Sequence, residues 1–411
     1  MDMEKKRRHS LVFALAAAML ATACVYDYNP QIDGEGGFMI VSGDIVLGEQ
    51  FTISLSNSWS LVDTNDTSYE RMRDLYSSKM HIEDSRGGRY ESINASGGGM
   101  TEYGNVATFD MSGADLSLEY RLVIENPRGT YASEWETALP PGQIDSLSYR
   151  ISDDRSTVSI NVSSHADGSD GLYRWTVSED WEYHSDFYTD RFFIPAGGYY
   201  YGERCDVDMI ATYRNGDNLY FCWSKGVRPE TMIASTDMLS ENRVVDHQLY
   251  TLGCYDERVS VLYSAKVTQA RLSREAYDYY MVQERNSSDV GGLFSPEPSE
   301  LRGNVRNLDD PSEKVLGYVS VLQTVSERLF IDNARTRFYK RRSQPIPPPD
   351  TLAIDSWRMA YMSGKLPTMP ILDPFTGEET GYFEWYPARC VDCRYGSGGK
   401  DKPDFWPNDD I

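Results

Sequence analysis

Apolar and polar residues alternate along much of the chain, in short stretches separated by turn residues. Phe51, Ile53 and Leu55 alternate with Thr52, Ser54 and Ser56. The same period recurs at Tyr120, Leu122 and Ile124, at Tyr131, Ser133, Trp135 and Thr137, and at Val158, Ile160 and Val162. A period of two with polar partners predicts strands with one buried face. Gly87-Gly88, Gly97-Gly98-Gly99 and Asn126-Pro127-Arg128-Gly129 supply the turns between them. The pattern therefore predicts a mainly β protein of two β-sandwich (immunoglobulin/fibronectin-like) domains. Pro140-Pro141-Gly142 divides them into an N-terminal sandwich over 37–140 and a second over 141–343. Residues 58–78 are polar and read as a long loop. One helix stands out near 273–286: Ser273 caps it, Glu275 suits its first turn, and Ala276, Tyr277, Tyr280 and Met281 share a face. Residues 315–325 and 329–331 read as closing strands of the second set. The run Gln344-Pro345-Ile346-Pro347-Pro348-Pro349 opens a Pro-rich, irregular tail over 344–411.

The first residues have a different pattern. Lys5, Lys6, Arg7 and Arg8 precede an apolar run at 11–19, and Leu20-Ala21-Thr22-Ala23 stands directly before Cys24. A basic start, a short apolar stretch and small residues at a cut site form a secretory signal. The apolar run falls well short of the ~20 residues that span a bilayer. A cysteine just after the small residues predicts lipidation of Cys24, where several acyl chains together give firm anchoring. Residues 1–23 are thus read as a lipoprotein signal peptide and 24–36 as anchor and tether. Leu20 lies four residues before Cys24, with Ala21 in the usual lipobox place; the competing reading is an ordinary secreted chain. The net charge of −23 grows more negative once the four leader cations are gone. Such a field repels phosphate backbones and anionic lipid surfaces, which argues against nucleic acid as a partner and for attachment by a covalent lipid.

Chemistry is sparse. Besides Cys24 the chain has Cys205, Cys222, Cys254, Cys390 and Cys393. An exported, oxidising setting favours disulfides, and Cys390-Val391-Asp392-Cys393 is the obvious local pair, a clip on the tail. A redox centre there would need a βαβ setting, and zinc two further ligands. The remaining three cysteines allow at most one more bridge, with its pairing open. His81, His165, His184 and His247 show no ligand spacing. Asp153/Asp154 and Asp309/Asp310 read as solvated turns rather than calcium loops. No nucleophile elbow or phosphate loop occurs, so no catalytic residue, metal or cofactor is expected. The 29 Tyr, 14 Phe and 8 Trp favour β-structure, and they crowd between Trp175 and Tyr201. Most of these rings are expected to pack internally. Tyr199, Tyr200, Tyr201, Trp181 and Phe192 are the candidates for ligand or partner contact, because rings offer large contact area at little entropic cost. Three successive tyrosines cannot all face one core, so at least one points outward.

The helix and the chain beyond it carry a resemblance. Leu272-Ser273, Ala276-Tyr277, Tyr279-Tyr280, Gly291-Gly292-Leu293-Phe294-Ser295-Pro296, Gly303-Asn304, Leu316-Gly317-Tyr318, Cys390-Val391-Asp392-Cys393 and Lys402-Pro403-Asp404-Phe405-Trp406 occur in order. With the lipobox and Val41-Ser42-Gly43, this resembles a Bacteroidota lipoprotein family known as a domain of unknown function (number 4249). Related chains carry a second cysteine near Cys222, where this one reads Tyr220-Phe221-Cys222-Trp223. The resemblance implies an outer-membrane lipoprotein, often paired with a TonB-dependent receptor, and no catalytic residues. The expected function is a non-catalytic accessory, binding a ligand or capping such a nutrient transporter from the cell surface. A structural or adhesive surface protein is the alternative, and a surface hydrolase stands third.

Overall fold

The computed structural model describes residues 38–58, 73–94, 99–101, 104–168, 171–214, 218–288, 303–338, 345–396 and 398–407. Residues 1–23, expected to be a leader, Cys24 with its expected tether, Gly97-Gly98 and Gly291-Gly292 lie outside the described residues. The chain is mainly β, as its alternation predicts. Met39–Ser42, Gln50–Asn57 and Gly104–Asp110 pair antiparallel, with Ile53 opposite Ala107 and Phe51 opposite Phe109. A second sheet joins Lys79–Asp84, Glu119–Asn126 and Gly129–Ser133. The apolar members of the two alternations meet in one core. Ile53, Leu55 and Phe109 come from the first sheet, and Ile82, Tyr120, Leu122 and Ile124 from the second. Each such side chain contributes about 1.5–3 kcal/mol when fully buried.

Past Pro140-Pro141 the pairing changes partners. Gln143–Ile151, Thr157–His165 and Arg243–Gly253 form a three-stranded sheet. The long strand Leu172–His184 pairs with Leu262–Arg271, which pairs with Thr324–Asp332. A second core lies between these two sheets, built on Val158, Ile160, Val162, Trp175, Val177 and Val267. The helix spans Arg274–Ser288, and Ser273 Oγ accepts from the Ala276 amide at 3.2 Å. Ala276, Tyr277 and Tyr280 pack onto Leu172, Leu272 and Tyr318, so the predicted face is the buried one. Among the described residues no helix is long and apolar enough to cross a membrane.

One grouping is corrected. Residues 305–322, read from the sequence with the second set of strands, return to the first. Val305–Asn307 pairs with Gly129–Ser133, Val315–Leu316 runs parallel to Met39–Ser42, and Val321–Leu322 runs parallel to Ile45–Val46. Val305, Val315, Val319 and Val321 complete the first core. Glycines make the return possible. A Cβ on Gly317 would stand 2.0 Å from the Val41 carbonyl oxygen, and its φ is +114°. A Cβ on Gly303 would stand 1.8 Å from the Gly317 oxygen. Asn304 fixes the crossing by donating Nδ2 to the Val319 oxygen and accepting the Val319 amide, both at 2.9 Å. Gly317→Ala must move backbone rather than a side chain. It is expected to cost about 1–3 kcal/mol, read as a shift in the denaturation midpoint against Gly377→Ala, where φ is also positive but the space is open.

The tail is corrected too. Instead of irregular chain, Asp350–Leu352, Glu379–Pro387 and Lys365–Leu372 form an antiparallel sheet in that order, with the helix Ile354–Met362 against it. Pro367 and Pro370 sit on an outer strand at breaks in the register. That is where a residue without an amide proton is tolerated, and it is why the strand does not read as one in the sequence.

Candidate functional site

The aromatic segment leaves the second set of strands as an arm. After Leu172–His184 the chain runs out, and Arg191–Ile194 pairs with Met209–Thr212. At the arm's end Tyr199–Tyr200 pairs with Glu203–Arg204, so the three tyrosines form a hairpin rather than a simple loop. Its two-residue turn is Tyr201-Gly202, with φ of +47° and +92°. Positive φ at both central positions is the turn whose twist matches paired strands. The turn sends neighbouring rings in different directions. Tyr199 is 68 % exposed and Tyr201 is exposed as well. Tyr200 is half-buried, donates to the Thr212 oxygen at 3.1 Å and lies 6.0 Å from Phe192. Phe192 itself packs on Tyr213 at 4.4 Å. The Arg214 guanidinium stands 4.1 Å from the Tyr201 ring, a cation–π contact that holds the ring in place. Trp181 is not on the arm. It sits half-buried in the long strand, against the second core. Of the five sequence-selected rings, four gather on the arm, and two of these face outward.

The arm is seated on the C-terminal sheet. Phe193 buries against Trp357, Ala360, Phe383 and Trp385, with Tyr361 5.1 Å away. Ion pairs flank the seat: Arg191 Nη2 to Glu379 Oε1 at 3.0 Å, and Arg358 Nε to Asp208 Oδ2 at 3.1 Å. The Arg358 bond, with the Ala196 amide, holds the Asp208 carboxyl below the usual range.

A disulfide ties this lobe back to the strands. It joins Cys222 to Cys393, not Cys390 to Cys393, with an S–S distance of 2.01 Å. Cys390 is a buried thiol packed with Tyr386 and Val391. The local pair fails because Cys390 lies in the helical turn Ala388–Val391, while Cys393 opens the next turn beside the strand Phe221–Val227. Neighbouring contacts reinforce the bridge. Tyr183 donates to the Cys393 oxygen at 2.6 Å and accepts the Gly398 amide at 2.8 Å. Trp406 Nε1 donates to Glu182 Oε2 at 2.9 Å. The bridge spans 171 residues. Replacing both cysteines by serine is expected to cost about 2–4 kcal/mol, and non-reducing peptide mapping is expected to recover a Cys222–Cys393 cross-link. A Cys390–Cys393 peptide would contradict the arrangement.

The lobe's outer surface is the part the sequence did not flag. Phe375 is 95 % exposed and Met362 80 % exposed, with Met359 and Met369 also in solvent. Phe375 is not on a frayed end. The Asp373 carboxylate accepts the Phe375 and Thr376 amides at 2.8 and 2.9 Å, which fixes the turn that presents the ring. Rings and thioethers offered on a braced frame, flanked by arginine pairs, have the composition of a contact surface. Among the described residues no group of three or more His, Cys, Asp or Glu is placed to hold a metal ion. His184 packs at a tilt against Tyr220, 4.5 Å between ring centres, and lies 2.7 Å from Glu182.

No curated protein matches the chain. The model of a domain of unknown function (DUF4249) matches residues 25–328. The match takes in the first set of strands, the arm, the long helix and the second set up to the middle of its strand Thr324–Asp332, and stops before the C-terminal sheet. With some three-quarters of its length matched, the chain belongs to the DUF4249 family.

Proposed function

We propose that this protein is an outer-membrane lipoprotein, anchored through lipid on Cys24 and facing the cell surface, that serves as a non-catalytic accessory to a TonB-dependent nutrient transporter. The outward rings of the arm and the C-terminal lobe are the surface that meets the receptor. One observation carries the reading: Phe375, Met362 and Tyr199 stand in solvent on elements locked by a fixed turn, buried rings and ion pairs. Large apolar side chains presented in water on a braced frame suit a surface that a protein partner covers. A protein partner suits them better than an anionic lipid surface, because the chain's charge of −23 repels such a surface.

The test is affinity capture of the tagged full-length lipoprotein from detergent-solubilised outer membranes, read by mass spectrometry. A stoichiometric TonB-dependent receptor is the expected companion. Recovery of the protein alone, or only with further copies of itself, would replace this reading with a structural or adhesive role.

A further inference from the structure

Away from the arm, at the end of the second set of strands, lies a cleft of about 880 Å³. Its walls include Arg155, Arg335, Arg337, Cys254, Tyr255 and Phe338. That volume falls within the about 300–1,000 Å³ typical of small-molecule sites. Three arginines converging on one cleft run against the character of a chain with 63 acidic and 40 basic residues.

Both walls are built before any ligand arrives. On one side Asp154 Oδ1 accepts from Ser152 Oγ at 2.6 Å, from the Ser156 amide at 3.0 Å and from Ser156 Oγ at 2.8 Å. These bonds pull the Asp154 carboxyl down to about 2 and commit it to its own turn. On the other side the short helix Asn333–Thr336 is capped by Asp332. Asn333 pins it, accepting the Phe338 amide at 2.7 Å and donating to the Ser260 oxygen at 2.7 Å. The Arg155 guanidinium crosses to the Thr336 carbonyl and ties the walls together. Arg155 and Arg337 have φ of +55° and +54°. Among the described residues only four non-glycine positions adopt such a conformation, and two of them line this cleft. Strain of this kind is kept where surroundings fix it and tends to gather at binding sites. Arg335 and Arg337 are exposed, and among the described residues neither shows an ion pair.

From these features we infer that the cleft binds an acidic monosaccharide unit, a sugar ring bearing a carboxylate or a sulfate. The arginine forks suit a planar or tetrahedral oxyacid, which they bind with paired hydrogen bonds. Tyr255 lines the same cleft and is 60 % exposed, and an aromatic ring there can pack on the C–H side of a pyranose. The inference stands whether or not the arm engages a receptor.

The test is calorimetric titration of the mature, detergent-solubilised protein with glucuronate, glucose 6-sulfate, glucose and sodium sulfate. Both acidic sugars are expected to bind, glucose is not, and sulfate binds at least tenfold more weakly than the acidic sugars. Arg335→Ala combined with Arg337→Asn, where asparagine tolerates the left-handed backbone, is expected to weaken acidic-sugar binding at least tenfold with an unchanged melting temperature. Tyr255→Ala is expected to reduce acidic-sugar affinity to that of sulfate. A second readout avoids loss of arginines: in a Cys205→Ser background, glucuronate is expected to slow alkylation of the half-buried Cys254. No heat with either acidic sugar, or equal binding of glucose, would overturn the inference. Sulfate binding as tight as glucuronate would reduce the site to one for simple anions and overturn the sugar assignment.

Discussion

Glu179→Ala is expected to destabilise the protein by about 3–5 kcal/mol, the cost of stripping the partner from a buried charge. Glu179 lies in the long strand Leu172–His184, its side chain only 4 % exposed. Its carboxylate accepts from Arg228 Nη1 at 3.0 Å, from Arg258 Nη1 at 2.8 Å and from the Tyr263 hydroxyl at 2.5 Å. Tyr263 in turn meets the Tyr250 hydroxyl at 2.7 Å, and the Arg228 guanidinium lies 4.0 Å from the Tyr250 ring. Arg258 keeps Asp256 when Glu179 is lost, and Arg228 keeps Glu230. Part of the charge is therefore still compensated, which sets the ceiling. Burial and the neighbouring carboxylate raise the Tyr263 phenol above its usual value, so it stays a hydrogen-bond donor throughout the working pH range. Urea denaturation of the protein measures the loss. Glu179→Gln keeps the acceptor oxygen without the charge and is expected to lie between wild type and alanine. An alanine variant within about 1 kcal/mol of wild type would show that the arginines find other partners.

The second large effect is expected at Asp44→Ala. Asp44 sits in the first set of strands and Arg174 in the second, and their side chains are 9 % and 16 % exposed. Arg174 Nη2 donates to Asp44 Oδ2 at 2.7 Å, and Arg174 Nη1 to the Tyr280 hydroxyl of the long helix at 2.5 Å. The Ser320 amide of the return segment donates to Asp44 Oδ1 at 3.2 Å. One carboxylate thus joins both sets of strands, the helix and the returning chain. Removing it leaves the Arg174 cation facing only a phenol and its ring, at a cost of about 3 kcal/mol. The loss is also expected to be local. Amide hydrogen exchange over 318–322 should quicken by more than that within the first core, because the return segment loses its tie to Arg174. Uniform exchange across both regions would contradict this placement of Asp44.

These two residues mark the limit of what the sequence discloses. Period-two alternation was enough for the strands around Ile53, Leu122 and Ile160, because each runs for eight or nine residues, long enough to show the period, with one face buried. The helix was legible from Ser273 and from the spacing of Ala276, Tyr277 and Tyr280. The return of residues 305–322 was not. Val315–Leu316 and Val321–Leu322 are two-residue parallel strands, too short to show any period. Their place depends on Gly317 meeting Val41, a residue from the opposite end of the family match. Cysteine pairing was equally hidden, since adjacency favoured Cys390 and the fold brought up Cys222. For the arm, composition located the tyrosines, but the turn at Tyr201-Gly202 decided which rings face water. Phe375 and Met362 carried no signal: Phe375 is a lone ring in a turn, Met362 ends a short helix, and the prolines of the segment masked its strands.

The most direct measurement of the central claim is paired capture from solubilised outer membranes. One bait is the wild-type protein; the other carries Tyr199→Ser, Met362→Ser and Phe375→Ser, three exposed positions whose replacement should leave the melting temperature unchanged. A TonB-dependent receptor is expected with the wild type, and at least tenfold less of it with the variant. Equal receptor recovery with both baits would contradict the assignment of this surface, and no receptor with either would contradict the proposed function itself.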